Sequence, residues 1–480
     1  MDSVPHRRKI IIDPVTRVEG HGKVTIRLDE KGQVEQARFH VVEFRGFEKF
    51  IQGRPFREVP VVIQRLCGIC PVSHHLCAAK AMDKVIGVDR VPVRADKMRR
   101  LMHHGQILQS NALHFFHLAS PDLLFGFDSP AAQRNIVGLA QRYPELAKRA
   151  ILIRSFGQEV IAATGGRKIH TNSAIPGGFN QQLDASRRDE LRQKVDQILG
   201  WTQEALELCQ TIAREDWKRH SEFGSFPSSY MSLVGTDGAM DLYDGWLRAI
   251  DREGKIIFDG VKPEQYCDVL VEEVRSWSYM KFPHIRSLGK EEGWYRVGPL
   301  AQINCCSHIA TPLAEQERQR FLKAGWGYPV HATLAYHWAR IICMIHALEV
   351  IHTFLNDADL LQGELVAKGI RRKEGIAWIE APRGTLFHHY TVGEDDLVKS
   401  ANLIVSTTSN NEALNRSVTK VAEDYLSGQE ITEGLLNHVE VAIRAYDPCL
   451  SCATHAIGKM PLVAILEGPD GQELTRRYRV

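Results

Sequence analysis

The 480-residue sequence has no run approaching the ~18 consecutive apolar residues that a membrane helix needs, and its mean hydropathy is −0.23. Neither sign of charge is in excess, with 60 Lys+Arg against 58 Asp+Glu. A chain without surplus cations is poorly equipped to neutralise a phosphate backbone, so nucleic acid is not an expected partner. A membrane is not expected either. The amino terminus, MDSVPHRRKIIIDPV, carries Arg7-Arg8, but only three isoleucines follow before Asp13. That is too short for the apolar core of a signal peptide, and a cytoplasmic chain is expected. Ten cysteines are too few for a disulfide scaffold. No G-x-G-x-x-G follows a strand-like segment, and no phosphate loop is present. Disorder and collagen-like repeats are excluded by an ordinary composition, 44% hydrophobic and 25% charged.

Length alone allows about three domains at roughly 150 residues each, or one large interleaved body. No internal repeat, low-complexity stretch or obvious linker divides the chain, which favours the single body. The first 50 residues read as strands. Lys9–Ile12, Gly22–Leu28 and 34–44 are rich in Val, Ile and Phe and are split by turns such as 29–32. Beyond them the apolar spacing becomes helical over 71–86, 95–118, 189–220, Ala335–Leu355 and Asn411–Leu426, with a further helix from Glu433 to about Ala445. Segments 235–259 and 380–391 read as strand and loop. The expected fold is therefore α+β and mainly α: a core bundle of long helices with a small N-terminal antiparallel sheet.

Four cysteines fall in two C-x-x-C pairs. The first lies in Arg65-Leu-Cys-Gly-Ile-Cys-Pro-Val-Ser-His-His75. Pro71 suits the first position of a helix, since its missing N–H would be unpaired there anyway. Cys70 is then at the cap, where the helix dipole favours thiolate. One turn further on, His74 can hydrogen-bond whatever the sulfurs hold. Alone, such a pair reads equally as a redox disulfide, half a zinc site, or nothing. The second pair lies in Tyr446-Asp-Pro-Cys-Leu-Ser-Cys-Ala-Thr-His455, where Pro448 predicts an extended Asp447 and the end of the preceding helix. Together the pairs offer four thiolates, a soft donor set for zinc, iron–sulfur or nickel. Some 380 residues separate them, far more than the ~15–20 of a zinc ribbon. Spacing does not name the metal. Cys209 and Cys343 lie in helical patterns and read as small buried apolar residues. Cys305-Cys306 have no partner motif.

The flanking residues go further. Arg17-Val-Glu-Gly-His21, Phe44-Arg-Gly-Phe-Glu48, Arg65-Leu-Cys-Gly-Ile-Cys70, Ala381-Pro-Arg-Gly384 and Asp447-Pro-Cys-Leu-Ser-Cys-Ala-Thr-His455 closely resemble the large subunit of nickel–iron hydrogenases, in order from residue 9 to residue 455. Val41-Val-Glu-Phe-Arg-Gly-Phe-Glu-Lys-Phe50 and Glu423-Asp-Tyr-Leu426 look most like the soluble, cytoplasmic, NAD-reducing branch.

The resemblance implies a site. Cys67 and Cys449 would be terminal ligands of nickel, and Cys70 and Cys452 would bridge it to an iron carrying one carbonyl and two cyanides. Cys449 and Arg383 match the family's candidate bases for the proton of dihydrogen. An arginine pKa exceeds about 12, so orienting substrate or stabilising charge is the safer role for Arg383. Pro382, Ser406 and Thr407 would line the diatomic-ligand pocket, with Thr407 the favoured cyanide partner. Asp122 and Asp447 would hold Arg383, although Asp122 reads equally well as a helix-terminus aspartate. Glu19 would take the proton from the cysteine and start a relay to the surface; its plain alternative is an ion pair with Arg17 or a turn contact at Gly20. Glu48 and His455 would bind a second, hard cation, usually magnesium. Without the motif, Glu48 would read as a surface partner of Lys49 or Arg45. Among the adjacent pairs His74-His75, His103-His104 and His388-His389, only His74 fits the family pattern.

No remaining cysteine cluster could hold an iron–sulfur chain. The resemblance therefore implies partners: a small subunit with iron–sulfur clusters, and diaphorase subunits carrying FMN and binding NAD. A deazaflavin- or NADP-linked enzyme would use the same site. A subunit of the respiratory complex I type shares the fold and binds quinone but lacks the thiolates, and a structural zinc protein is the third reading. Residues 1–455 form the expected body. The 25 residues beyond His455 match a maturation extension, removed by an endopeptidase after nickel-insertion factors have acted. Apolar 460–466 reads as a strand and 468–471 as a turn, so the alternative is a permanent edge strand. As a gate, the tail would hold Cys449 and Cys452 outward until metal is loaded.

Overall fold

The computed structural model describes residues 8–455 and, beyond them, the strands Leu462–Glu467 and Glu473–Arg479. The fold is α+β, with long helices and several small sheets. Lys9–Ile12, Gly22–Leu28 and Val34–Val41 form a three-stranded antiparallel sheet in chain order. Along the middle strand Val24, Ile26 and Leu28 turn inward at the two-residue period of a half-buried strand. The third strand stops at Val41, short of the expected residue 44. Residues 45 and 46 leave the sheet to donate their N–H groups to Thr454, at 3.1 Å to Oγ1 and 3.2 Å to the carbonyl.

The helices Pro71–Val85, Val93–Leu113, Ala335–Leu355, Asn411–Leu426 and Glu433–Ala445 follow the apolar spacing closely. The second continues into a π-helical turn, His114–Ala119. The expected helix over 189–220 is two: Ala185–Glu215 and Trp217–Glu222, broken at Asp216, whose carboxylate accepts from the N–H of Arg219. Pro144–Gly165 is a helix that the sequence reading missed. It packs on Val93–Leu113 through Gly157 against Gly105, where a Cβ on Gly157 would stand 2.7 Å from the Gly105 carbonyl oxygen. Its buried face, Ala147, Ala150, Ile153, Phe156, Val160 and Ile161, keeps helical spacing, and the glycine contact brings the two backbones close. Ala335–Leu355 has the length and mean hydropathy (1.4) of a membrane span, yet it is largely buried within the protein as a core helix. The larger of two apolar clusters among the described residues draws on Val15 to Ala453, and the smaller gathers Met231, Leu233, Trp378 and Phe387.

A second three-stranded antiparallel sheet, Glu374–Ala381, Gly384–Val392 and Val398–Ile404, lies against the Pro71 helix. Ala381 pairs with Gly384, so Pro382 and Arg383 form the two-residue tip of a hairpin. In the tail, Leu462–Glu467 pairs antiparallel with Glu473–Arg479, which meets the expected strand; the turn expected at 468–471 lies outside the described residues.

Candidate metal centre

The Cys67-x-x-Cys70 loop ends where Pro71 opens its helix, with Cys70 at the cap. The N–H groups of Ile69 and Cys70 point at the Cys67 sulfur, at 3.2 and 3.4 Å. Cys449 and Cys452 flank the short turn after the Glu433–Ala445 helix. Asp447 is not extended, as Pro448 predicts, but left-handed at φ 54°. The tertiary contact overrides the local preference: its carbonyl and carboxylate both accept from Arg383, at 2.5 Å from Nε and 3.0 Å from Nη2.

All four sulfurs lie within 4.8 Å of one another and are buried. Cys67 Sγ is 3.2 Å from Cys449 Sγ, Cys70 Sγ is 3.7 Å from Cys452 Sγ, and Cys449 and Cys452 approach to 2.9 Å. Hydrogen bonds from the neighbouring thiols draw Cys67 well below the usual thiol range and Cys70 to about 6. Burial drives Cys449 and Cys452 well above it. Four thiolates in a dry pocket repel one another, and a multivalent soft cation between them removes that penalty. The donor set therefore fits a metal centre. The sulfurs converge while the chain still continues past His455, so the expectation that the tail turns Cys449 and Cys452 outward is not met.

Glu19 reaches this cluster because its backbone runs beside Cys449, with the N–H of Leu450 on the Glu19 carbonyl at 2.9 Å. The approach is possible only at glycine: a Cβ on Gly20, at φ +83°, would stand 2.8 Å from the nitrogen of Ser451. One carboxylate oxygen, Oε2, accepts from Ser451 N–H at 3.0 Å and from Cys449 Sγ at 3.1 Å. Arg17, the alternative partner in sequence, is turned to Asp122.

The hairpin tip delivers Pro382 and Arg383 to the same place. Gly384 makes this possible, since a Cβ there would meet Gly298 N at 2.5 Å. Arg383 is 3% exposed. Burial opposes its charge, but Asp447 and the thiols Cys449, Cys70 and Cys67 outweigh burial and keep it protonated. Asp447 itself is pushed up to about 6 by burial, against the pull of Arg383 and Arg340. Ser406 spends its hydroxyl proton on the Gly384 carbonyl at 2.6 Å, whereas Thr407 Oγ1 accepts from the Cys449 N–H at 2.9 Å and keeps its own proton to donate. Cys70, His74, Pro382, Leu386, Val405 and Thr407 share a small, mostly apolar cleft.

Asp122 corrects an expectation. It does not hold Arg383. Its carboxylate is taken by Arg17 (2.5 Å), Arg444 (2.9 Å) and Arg134 (3.3 Å), tying the Arg17 loop to the helix ends behind the site. Ser110, which the sequence did not single out, is the further partner of Arg383, at 3.3 Å. Glu48 is not a surface residue: it accepts from the Leu403 N–H at 2.8 Å and from Lys281 Nζ at 3.0 Å. Lys281 also pairs with Glu272 at 3.1 Å. His455 is 2% exposed, neither ring nitrogen makes a close hydrogen bond among the described residues, and burial holds its pKa down to about 3. A neutral buried imidazole with an unspent lone pair fits the role of a metal ligand.

Of the histidine pairs, His75 bonds the Pro60 carbonyl and the Ala174 N–H, and His103 and His104 pack in the core. His388 was missed. Its Nε2 lies 3.2 Å from His74 Nδ1, a contact between a helix and a strand that no sequence period reveals. A larger cleft, about 650 Å³, opens between the Pro71 and Val93 helices. It contains none of the four sulfurs, and its charges are largely paired internally, as in Lys80–Asp244 and Arg99–Asp83.

The family model for nickel-dependent hydrogenase matches residues 45–142 and 238–455, and a HoxL-like model matches residues 9–44. The chain is 47% identical to the beta subunit of the NAD-reducing hydrogenase HoxS of Cupriavidus necator, over 98% of this chain and 100% of that one. It is 41% identical to a chain of the F420-non-reducing hydrogenase of Methanothermobacter thermautotrophicus, over 98% and 99%. Among solved structures it superposes on an NAD+-reducing [NiFe]-hydrogenase in the H2-reduced state with a TM-score of 0.92 and 55% identity, covering 93% of this chain and 99% of that one. The four converging thiols, the Glu19 and Arg383 side chains beside them, and these likenesses lead to one conclusion: the chain belongs to the nickel-dependent hydrogenase family.

Proposed function

We propose that this chain is the catalytic large subunit of a cytoplasmic, multi-subunit hydrogenase that reversibly splits dihydrogen and passes the electrons, through partner subunits, to NAD+. The observation that carries the reading is the convergence of Cys67, Cys70, Cys449 and Cys452 within 4.8 Å, with the Glu19 carboxylate 3.1 Å from one of them. Likeness along nearly the whole chain to a subunit of an NAD-reducing hydrogenase supports the choice of acceptor.

Cys67 and Cys449 would hold nickel alone, and Cys70 and Cys452 would hold it together with an iron bearing one carbonyl and two cyanides. When bound, that centre supplies an electron-rich site for heterolytic cleavage of dihydrogen. The rest is work for the chain. Cys449 Sγ accepts the proton and passes it to Glu19 Oε2, which the Ser451 N–H keeps aimed at the sulfur. Arg383, fully protonated, serves as a fixed positive charge above the site and not as a base. Pro382, Leu386 and Val405 exclude water from the cleft, and the Thr407 hydroxyl is free to donate to a cyanide. His455, with Glu48, would hold magnesium; the buried His455 ring, without a close partner among the described residues, supports this, and Lys281, now paired with Glu48, would have to yield that carboxylate to the ion.

Residues 1–455 would be the working body and the tail beyond them an extension removed by a maturation endopeptidase after nickel insertion. The partners would be FMN- and NAD-binding diaphorase subunits together with an iron–sulfur small subunit. Metal analysis of the purified complex is the direct test. Nickel with iron is expected; zinc alone would establish a structural protein, and a metal-free active complex would end the reading. Reduction of a deazaflavin but not of NAD+ by the same complex would reassign the acceptor.

A further inference from the structure

Five arginines among the described residues are at most 3% exposed: Arg99, Arg296, Arg340, Arg383 and Arg444. Three of them have a carboxylate. Arg99 pairs with Asp83, Arg444 with Asp122 and Glu440, and Arg383 with Asp447. Arg296 and Arg340 form no ion pair among the described residues. Arg296 is covered by rings, with its guanidinium 4.1 Å from the centroid of Phe226. Arg340, in the helix Ala335–Leu355, makes no such contact among the described residues. Its Nη1 and Nη2 donate to the carbonyls of Tyr336 at 3.3 Å and Ala445 at 3.1 Å, and its Nε has no partner there. A buried cation held only by neutral carbonyls is costly.

The neighbours of Arg340 show where that charge acts. Ala445 ends the helix Glu433–Ala445, and two residues on, Asp447 gives Oδ1 to Arg383 at 3.0 Å. The other oxygen, Oδ2, is buried without a hydrogen-bond partner among the described residues. Arg340 pulls on the same carboxylate, so one Asp serves two guanidinium groups beside the four sulfurs. Other groups also feel Arg340, and all are uncharged. Burial keeps His114 and His337, stacked at 5.6 Å, neutral. Burial likewise keeps the proton on Tyr336, Cys209 and Cys343. Arg340 itself is lowered by burial only to about 10 and stays charged at neutral pH. Two guanidinium groups and one carboxylate leave one positive charge that no carboxylate in contact cancels.

We propose that Arg340 is a positioning residue that acts by charge: through Asp447 and through its own field it sets the electrostatic potential at Cys67, Cys70, Cys449 and Cys452 without touching them. The inference rests on the proposed nickel–iron reading. There, the thiolates and cyanides outweigh the charge of two divalent metals, so the loaded centre is negative and the unmatched cation is its counter-charge. At this depth no bulk water screens the field, which strengthens its reach. The plain alternative is a cap, with Arg340 closing the carbonyl end of Glu433–Ala445. The two roles separate, because a cap needs a donor and a counter-charge needs charge.

The test uses the purified holo-complex carrying Arg340→Lys, Arg340→Gln or Arg340→Met, each assayed for nickel and iron. It reads the midpoint potential of the metal centre and, in one fixed redox state, the infrared band of the iron-bound carbonyl. Arg340→Lys keeps the charge, Arg340→Gln keeps a donor for the Ala445 carbonyl without charge, and Arg340→Met keeps neither. Losing a nearby cation makes the centre harder to reduce and the iron more electron-rich. Arg340→Gln and Arg340→Met are therefore expected to lower the midpoint and move the carbonyl band to lower frequency, with Arg340→Lys at the wild-type position. Metal loading of Arg340→Lys alone also supports the inference, since charge is what separates it from the other two. Wild-type midpoint and band in metal-loaded Arg340→Gln or Arg340→Met overturn the inference and leave the centre intact. So does an Arg340→Lys complex that loses its metals or shifts as far as Arg340→Met. Absence of all diatomic bands from the wild-type complex overturns the proposed centre, and the inference with it.

Discussion

Glu19 and Cys449 are 430 residues apart in sequence and 3.1 Å apart in space, and the carboxylate oxygen that meets the sulfur is also held by the Ser451 N–H. A carboxylate so fixed is placed to exchange one proton with one thiol. Gly20 permits this closeness, and the Arg17–Asp122 ion pair at 2.5 Å ties down the loop on which Glu19 sits.

Replacing Glu19 by Gln keeps the shape and an acceptor oxygen for Ser451 but removes the titrating group. Turnover is expected to fall about 10²-fold or more, the range associated with losing a positioned acid–base group, while nickel and iron stay bound. Hydrogen uptake measured beside metal content checks it. Wild-type turnover in a metal-loaded Glu19→Gln enzyme would remove Glu19 from the proton path.

Cys67→Ser and Cys452→Ser substitute a hard, weakly acidic hydroxyl for a soft thiolate. Each is expected to abolish nickel retention and hydrogen oxidation together, and elemental analysis with an activity assay reads both. Near-normal activity in either variant is the outcome that sinks the four-thiol centre.

The tail makes a prediction about mass. Intact mass spectrometry of the active, nickel-loaded enzyme is expected to find a chain ending at His455. A competent chain still ending at Val480 would falsify the cleavage.

Acid is expected to destabilise the metal-free chain. Burial holds His75, His104 and His220 to about 4 and His346 to about 3, against about 6.5 when unfolded. Between pH 6.5 and about 4 the unfolded chain therefore binds protons the folded chain does not, and stability falls as pH falls. Glu380, raised to about 7, and Asp447, raised to about 6, both by burial, work in the opposite direction. His331, also held to about 4, and His103, His114 and His337, held well below the ordinary range, add to the histidine side, so near pH 5 the unfolded chain binds the excess of protons. Thermal melts at pH 7 and pH 5 should give the lower midpoint at pH 5. An unchanged or higher midpoint at pH 5 would contradict the buried-histidine account.

The sequence by itself determined the elements whose side chains repeat with a clear period: Gly22–Leu28 alternates, and Ala335–Leu355, Asn411–Leu426 and Glu433–Ala445 keep helical spacing to their ends. It also marked the two C-x-x-C pairs that meet in space, because cysteine pairs beside Pro71 and Pro448 are local signals. Other features were decided by contacts between distant segments. Pro144–Gly165 comes close to Val93–Leu113 where glycine meets glycine, and the break at Asp216 is made by a side-chain cap. Asp447 adopts its left-handed backbone under the grip of Arg383, and Asp122 goes to three arginines that arrive from other parts of the chain. The joining of His74 to His388, and of Glu19 to Cys449, is likewise tertiary. A period along one segment reports which face is buried, but not what is buried against it, and the partners of a buried polar group are set only when the segments meet.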